Sequence, residues 1–263
     1  MFKFTDSHCH IDFPDFAENR TKLLQQCSLA NITKIIIPAV SPDKWQALLA
    51  LVESNNTHCQ LFPCVGIHPW YLSHLDNSHL ALLEQAISQH QNKLIAVGET
   101  GLDGVIAKEQ DNLQHQQTFF EFHIHMANKY ALPLIIHHRR THSEILQQLK
   151  LTPADHTGII HAFSGSYQQG KAYIDLGFKL GVGGTITYPR AEKTRKAIKR
   201  FPLDALVLET DSPAMPLFGK QGQVNTPLTI IEVFESLSGL REESAQCIAQ
   251  TIENNIQQLF GIS

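Results

Sequence analysis

The stretch Phe2-Lys3-Phe4-Thr5-Asp6-Ser7-His8-Cys9-His10 runs from a short apolar segment into a His-x-His pair. In an extended strand, residues two apart point to the same side, so both imidazoles can converge on one ion. On a helix the same spacing would splay them apart. Read as a strand, the segment is the first of eight short apolar runs. They cover residues 2–8, 34–40, 60–67, 94–99, 134–138, 157–161, 178–182 and 205–209. Four later ones lead into another potential ligand: Glu99, His137, His161 and Asp211.

Most of these runs have the β-branched, nearly continuous apolar character of strands buried on both faces. Helical patterns lie between them. Ser41-Pro42 offers an N-cap followed by proline at the first helical position, ahead of an apolar stripe of Trp45, Leu48, Leu49 and Val52. Ser78 is placed to cap a helix carrying Leu80, Leu83 and Ile87 on one side, and Gly177 sits where a helix should stop before the seventh strand. Eight strands alternating with helices in about 250 residues is the arithmetic of an α/β fold of the (β/α)8 TIM-barrel type. A doubly wound open sheet is the alternative, but no Gly-rich phosphate loop follows the first strand. No repeat, low-complexity tract or linker divides the chain, so a single domain over residues 1–263 is expected.

Hydrophobic residues make up 43% and charged residues 17% of the chain, which suits a soluble protein with a substantial core. No apolar run approaches the roughly 18 residues of a membrane span, and no basic-then-apolar leader opens the sequence. The five cysteines are odd in number and form no Cys-x-x-Cys pair. A disulfide scaffold or thiolate zinc site is therefore not expected, and a reducing cytoplasm is the natural setting. The formal charge of −4 argues against tight binding of nucleic acid by bulk electrostatics, while leaving room for capture of a strand in a positive cleft. One basic run stands out: Arg190, Lys193, Arg195, Lys196, Lys199 and Arg200, with Glu192 the only opposing charge. It reads either as a solvated helix face or as support for a polyanionic substrate.

In a barrel, the carboxyl ends of the strands share the face where active sites are built. His8, His10, Glu99, His137, His161 and Asp211 are all placed there by the strand reading. Six nitrogen and oxygen ligands without thiolate fit zinc, manganese or magnesium. Six is more than one tetrahedral zinc requires, so a bridged pair of ions is the natural reading. His123-Ile124-His125 is a control with the same spacing, but it lies in residues 118–130, which read as helix; its rings diverge there and take a structural or surface role. His137 and His138 must face opposite ways along a strand, and the pattern alone does not choose between them.

With these residues assembled, the chain resembles the TatD family of metal-dependent hydrolases, described as deoxyribonucleases. The resemblance runs through Asp6-Ser7-His8-Cys9-His10-Ile11-Asp12, Gly66-Ile67-His68-Pro69 and Gly98-Glu99-Thr100-Gly101-Leu102-Asp103. It continues through Ile136-His137, His161-Ala162-Phe163-Ser164-Gly165 and Leu208-Glu209-Thr210-Asp211-Ser212-Pro213. Each motif is weak, but all six in order are specific. The stretch Gly181-Val182-Gly183-Gly184-Thr185-Ile186-Thr187-Tyr188-Pro189-Arg190 further resembles the YjjV-like subgroup.

The resemblance implies a TIM barrel of the metallo-dependent hydrolase type with two divalent cations, zinc, magnesium or manganese. It implies that His8, His10 and Asp211 hold one ion, His137 and His161 the other, and that Glu99 bridges them. It also selects His137 over His138 and matches His68 to a histidine near the substrate phosphate. One departure stands out. Many members have Arg-Asp after the fifth-strand histidine, whereas this chain, like the YjjV-like subgroup, has His138-Arg139-Arg140-Thr141-His142. Substrate preference therefore transfers less directly than fold.

The expected activity is metal-dependent hydrolysis of a phosphodiester, with DNA or another phosphodiester as the substrate. Asp211 and Glu99 are the expected catalytic carboxylates, Asp211 orienting the attacking water and accepting its proton. His68 and Arg139 would hold phosphate oxygens, Arg139 through its planar fork. Asp12, Asp103 and Glu209 are possible orienting groups behind the imidazoles, or turn and cap residues. A hydrolase of a non-nucleic-acid ester or amide could use the same centre, and a noncatalytic metal-bound binding protein is the third reading. No sequence-reading module is present, so contacts would go to backbone or chain ends. No protein partner can be inferred, and a monomer is the working expectation.

Overall fold

Each of the eight expected strands forms, and helices separate them. In chain order the elements are β1 (Phe4–Asp6), α1 (Arg20–Leu29), β2 (Ile32–Pro38), α2 (Pro42–Ser54), β3 (Gln60–Val65), α3 (Ser78–His90), β4 (Ala96–Asp103), α4 (Gly104–Gln110) and α5 (Leu113–Tyr130). They continue with β5 (Leu134–Arg139), α6 (His142–Leu151), β6 (Gly158–Ile160), α7 (Tyr167–Ile174), β7 (Lys179–Val182), α8 (Glu192–Arg200), β8 (Leu206–Leu208), α9 (Ile230–Leu240) and α10 (Ala245–Phe260). This computed structural model describes residues 2–262. The strands succeed one another in the sheet in chain order, β1 to β8, and the fold class is the (β/α)8 barrel.

The chain divides into two compact units: Met1–Ile37 with Glu53–Leu61 and Ala162–Ser263, and Pro38–Val52 with Phe62–His161. In the first, β7 pairs in parallel with β8 (Leu180 opposite Leu206), and β1 with β2 (Thr5 opposite Lys34). The ends of β8 and β1 are stitched by main-chain bonds. Ser7 N–H donates to Leu208 O (3.0 Å), Asp211 N–H to His8 O (2.8 Å) and His10 N–H to Ser212 O (2.8 Å). Behind this sheet α10 packs on β1 and β8. Its Glu253 carboxylate accepts both the Thr5 N–H (2.7 Å) and the Thr5 hydroxyl (2.8 Å).

The second unit carries the parallel ladder of β3, β4, β5 and β6, with Cys64 opposite Ala96, Thr100 opposite Ile136 and Ile136 opposite Ile160. Ile135, Ile136, Ile159 and Ile160 are fully buried, as expected for strands covered on both faces. The control pair separates as its helical spacing requires: His123 is buried in α5 and His125 is exposed. His123 pins α5 to the loop after β3. Its Nδ1 donates to Phe119 O (2.7 Å), and its Nε2 accepts the Ile67 N–H (2.9 Å). Burial holds this imidazole neutral, with its pKa lowered to about 4.

Three local details differ from the sequence reading. β4 continues four residues beyond Glu99, to Asp103, with its register shifting between Val97 and Thr100. Gly101 makes the extension possible: its φ is +130°, and a Cβ there would lie 2.1 Å from His137 O on β5. Pro42 does open α2, but the Ser41 hydroxyl donates to Asp43 Oδ1 (2.5 Å). Ser78 is the first residue of α3, and its N–H is taken by Asp76 Oδ1 (2.9 Å). Among the described residues no helix is long and apolar enough to cross a membrane. All five cysteines are free thiols.

Candidate metal centre

In the first unit, the period of two along the chain after β1 brings His8 and His10 to the same side. Their Nε2 atoms lie 3.2 Å apart, and their rings meet edge-on at 81°. Asp211, just after β8, completes a triangle, with Oδ1 at 3.6 Å from His8 Nε2 and 3.7 Å from His10 Nε2. The point equidistant from these three atoms lies about 2.0 Å from each, which is the bond length of a divalent transition metal to imidazole or carboxylate. The donor set fits an ion on chemistry and on spacing. Asp211 has φ +56°, the left-handed region that asparagine and aspartate tolerate best, and its N–H is tied to His8 O. Cys9 lies between the two histidines but is fully buried, and burial pushes its thiol pKa well up, so it stays a protonated core residue.

Behind this triangle sits Asp6, fully buried. Its Oδ1 accepts the N–H groups of Thr210 (2.9 Å) and His8 (3.3 Å), and its Oδ2 accepts the Thr210 hydroxyl (2.6 Å). Burial raises its pKa to about 8 against the pull of those bonds. Asp6 thus ties the strand end bearing His8 to the one bearing Asp211. The sequence reading gave it no role of its own.

In the second unit, Glu99 is the hub and is almost fully buried. Its Oε1 lies 3.2 Å from His137 Nδ1 and 3.4 Å from His68 Nε2. His161 offers a ligand atom within 4.8 Å of one on Glu99. The other nitrogen of His137, Nε2, faces Asp103 Oδ2 at 3.1 Å. A neutral imidazole has one donor and so can satisfy only one of two carboxylates. The second contact calls for a proton or a metal ion at Nδ1. Burial opposes charge on His137, but its bonds to Asp103 and Glu99 prevail and raise its pKa. Burial likewise works against the charged form of Asp103, yet bonds from His137, Trp70 and Ile106 hold it well below the usual carboxylate range.

The arrangement separates His137 from its neighbour. His138 is buried, its ring centroid lies 4.4 Å from that of His142, and burial drives its pKa well down. His137 is the one that reaches Glu99. His68 comes closer to the ligand cluster than a loop position suggests. Its Nδ1 accepts the Trp70 N–H (3.1 Å), which places the proton of the neutral ring on Nε2, facing Glu99. It is built as a donor. Arg139 has a half-exposed side chain, with Nη1 3.8 Å from Asp103 Oδ2.

Of the three suggested orienting groups, Asp103 serves twice. Oδ1 caps α4 by accepting from Val105 (2.8 Å) and Ile106 (3.1 Å), while Oδ2 accepts from His137 and from Trp70 Nε1 (2.7 Å). Glu209 Oε1 accepts the Ala162 N–H (2.6 Å), fixing the backbone next to His161. Trp70 went unremarked in the sequence, where nothing marks an indole after His-Pro as a clamp. Most of the basic run has partners within the chain, the lysine pairs on an exposed helix face. Arg195 donates to Ile186 O, Lys196 pairs with Glu192, Lys199 with Glu242, and Arg200 lies over the Tyr167 ring.

Comparison with known proteins matches residues 5–261 to the family model described as TatD related DNase. The Escherichia coli (strain K12) protein named uncharacterized metal-dependent hydrolase YjjV is 42% identical over 260 residues, covering 99% of this chain and 98% of its own. An uncharacterized metal-dependent hydrolase of Haemophilus influenzae is also 42% identical, with 98% and 99% covered. The crystal structure of Escherichia coli YjjV, a TatD homologue, superposes with a TM-score of 0.94 at 43% identity, over 99% of this chain and 98% of that one.

Proposed function

The chain belongs to the TatD family of metal-dependent hydrolases, and from that membership we propose that it is a two-metal phosphodiesterase acting on DNA. Glu99 carries this reading: a buried carboxylate surrounded by His68, His137 and His161, in a chain that also holds the ion-sized triangle of His8, His10 and Asp211. In the proposed centre, His8, His10 and Asp211 hold one divalent ion, His137 and His161 hold a second, and Glu99 is shared between them. Zinc, manganese or magnesium suits these nitrogen and oxygen donors. Such ions supply Lewis acidity, polarising a phosphodiester oxygen and lowering the pKa of water.

The chain's own groups do the rest. Asp211, the more solvent-accessible carboxylate of the set, orients the attacking water and accepts its proton at Oδ. His68 donates its Nε2–H to a nonbridging phosphate oxygen, held in that tautomer by the Trp70 main chain. Arg139 offers its guanidinium fork to a second one. Asp103 keeps His137 in its ligating tautomer. We further propose that the chain is one domain, because it passes between the two compact units four times and neither is a continuous segment. The free thiols, four of them buried, suit a reducing cytoplasm.

The test is a screen of purified, metal-loaded protein against single-stranded DNA, duplex DNA, RNA, small phosphodiesters, carboxylic esters and amides, with Glu99→Ala run in parallel. Metal-dependent cleavage of DNA that disappears in a folded Glu99→Ala protein is the expected result. Turnover confined to carboxylic esters or amides would reassign the substrate. Turnover of nothing across that panel, with metal bound, would make the protein a binding module.

A further inference from the structure

The loops that follow β7 and β8 flank an open cavity of about 260 Å3 lined by Thr185, Tyr188, Arg190, Met215 and Pro216 among others. It is a built feature. The Tyr188 hydroxyl donates to Pro216 O (2.7 Å), the Thr187 hydroxyl to Gly184 O (2.7 Å), and the Phe218 N–H to Thr187 Oγ1 (2.9 Å). Gly184 lets the two loops close together, since a Cβ there would lie 2.8 Å from Met215 O. The loop after β8 that supplies Met215 and Pro216 also carries Asp211, four residues before Met215.

Charge and shape narrow the occupant. Lys196 and Lys199 of the basic run pair with glutamates on the surface, whereas Arg190 forms no ion pair among the described residues. Its guanidinium lies over the Tyr188 ring at 5.1 Å, and the exposed Phe218 meets the same ring edge-on at 5.7 Å. An aromatic and apolar wall with one cation at its edge suits a flat heterocycle bearing an anionic group. The volume lies just below the roughly 300–1,000 Å3 of pockets that take drug-sized molecules, which suits a single monomer. Loops after strands seven and eight are also a recurrent phosphate-binding position in barrels.

We propose that this cavity is a mononucleotide subsite, taking the base of the nucleotide beside the scissile phosphate against Tyr188, Met215 and Pro216, with its phosphate on Arg190. The assignment rests on the phosphodiesterase reading for its role in substrate selection, but its binding test stands apart from turnover. Metal-loaded wild-type protein, Arg190→Gln and Arg190→Lys are titrated calorimetrically with deoxythymidine 5′-monophosphate, thymidine and inorganic phosphate. Loss of a charge-assisted contact should weaken the nucleotide about tenfold in Arg190→Gln, with partial recovery in Arg190→Lys. Thymidine should bind wild type more weakly than the nucleotide, and inorganic phosphate reports what the metal centre takes by itself. Equal affinity of wild type and Arg190→Gln for the nucleotide would overturn the subsite, as would thymidine binding wild type as tightly as the nucleotide. Arg190-dependent nucleotide binding in a protein that cleaves no phosphodiester would leave the subsite standing and fail the catalytic reading instead.

Discussion

The two compact units each carry a ligand cluster, but they build it differently. In the first, His8, His10 and Asp211 are positioned chiefly by backbone: the chain running on from β1 sets the histidines, and main-chain bonds between the ends of β1 and β8, backed by the Asp6 carboxyl group, set the aspartate. In the second, Glu99 and His137 come from strands paired side by side, and their aim depends on side chains, chiefly Asp103 and Trp70. A cluster built by backbone geometry is sensitive to loss of a ligand. A cluster built by side-chain aim is sensitive also to residues that touch no ion.

The sharpest way to break that contrast is His10→Ala. Removing a ligand from the first cluster should lower turnover by about 10³-fold, since an ion contributes several kcal/mol of transition-state charge stabilisation. Steady-state rates at saturating metal check this; a rate near wild type would remove His10 from the centre. Asp103→Asn probes the second cluster without touching a ligand. It keeps the capping oxygen but reverses the bond to His137, and should cost about 10–100-fold in activity or metal affinity. Unchanged activity with unchanged affinity would show that His137 is aimed by something else.

These two variants mirror what the sequence made legible. His8/His10 could be read because alternation in a strand is local and exact in period, and the same logic dismissed His123/His125 as helical. His137 could not be separated from His138 by pattern, because the choice is made by Asp103, 34 residues away on β4. The eight strands were legible from their apolar runs. The extension of β4 to Asp103 was not, because it depends on how closely Gly101 lets β5 approach. Family resemblance drew attention to His68, but its tautomer is set by the main chain of Trp70 and is visible only in three dimensions. The basic run read either as a solvated helix face or as support for a polyanionic substrate, and the exposed pairs of Lys196 and Lys199 accord with the first.

His123 sharpens the comparison from the stability side. Neutral in the folded protein down to about pH 4 and protonated near 6.5 when unfolded, it favours folding fully above pH 6.5 and loses that contribution as pH falls to about 4. Urea titrations of metal-free protein should show one cooperative transition whose free energy falls by about 3 kcal/mol from this source. His123→Ala should flatten that part of the pH dependence while costing about 1–3 kcal/mol at neutral pH for the orphaned Ile67 N–H. An unchanged slope would exclude His123 as the titrating group. Two separate transitions would make the compact units independent domains.

The smallest effect is expected from Arg139→Ala. Its side chain is half exposed, so solvent screening should limit the loss to about threefold in KM for a DNA substrate, with kcat unchanged. A large fall in kcat would move Arg139 into the reacting geometry.

The central claim, one ion in each cluster with Glu99 shared, is tested most directly by counting metal. Equilibrium dialysis against Mn2+ or Zn2+ followed by elemental analysis should find two ions per chain in the wild type and one each in His10→Ala and His137→Ala. A single ion in the wild type, or two retained in either variant, would contradict it.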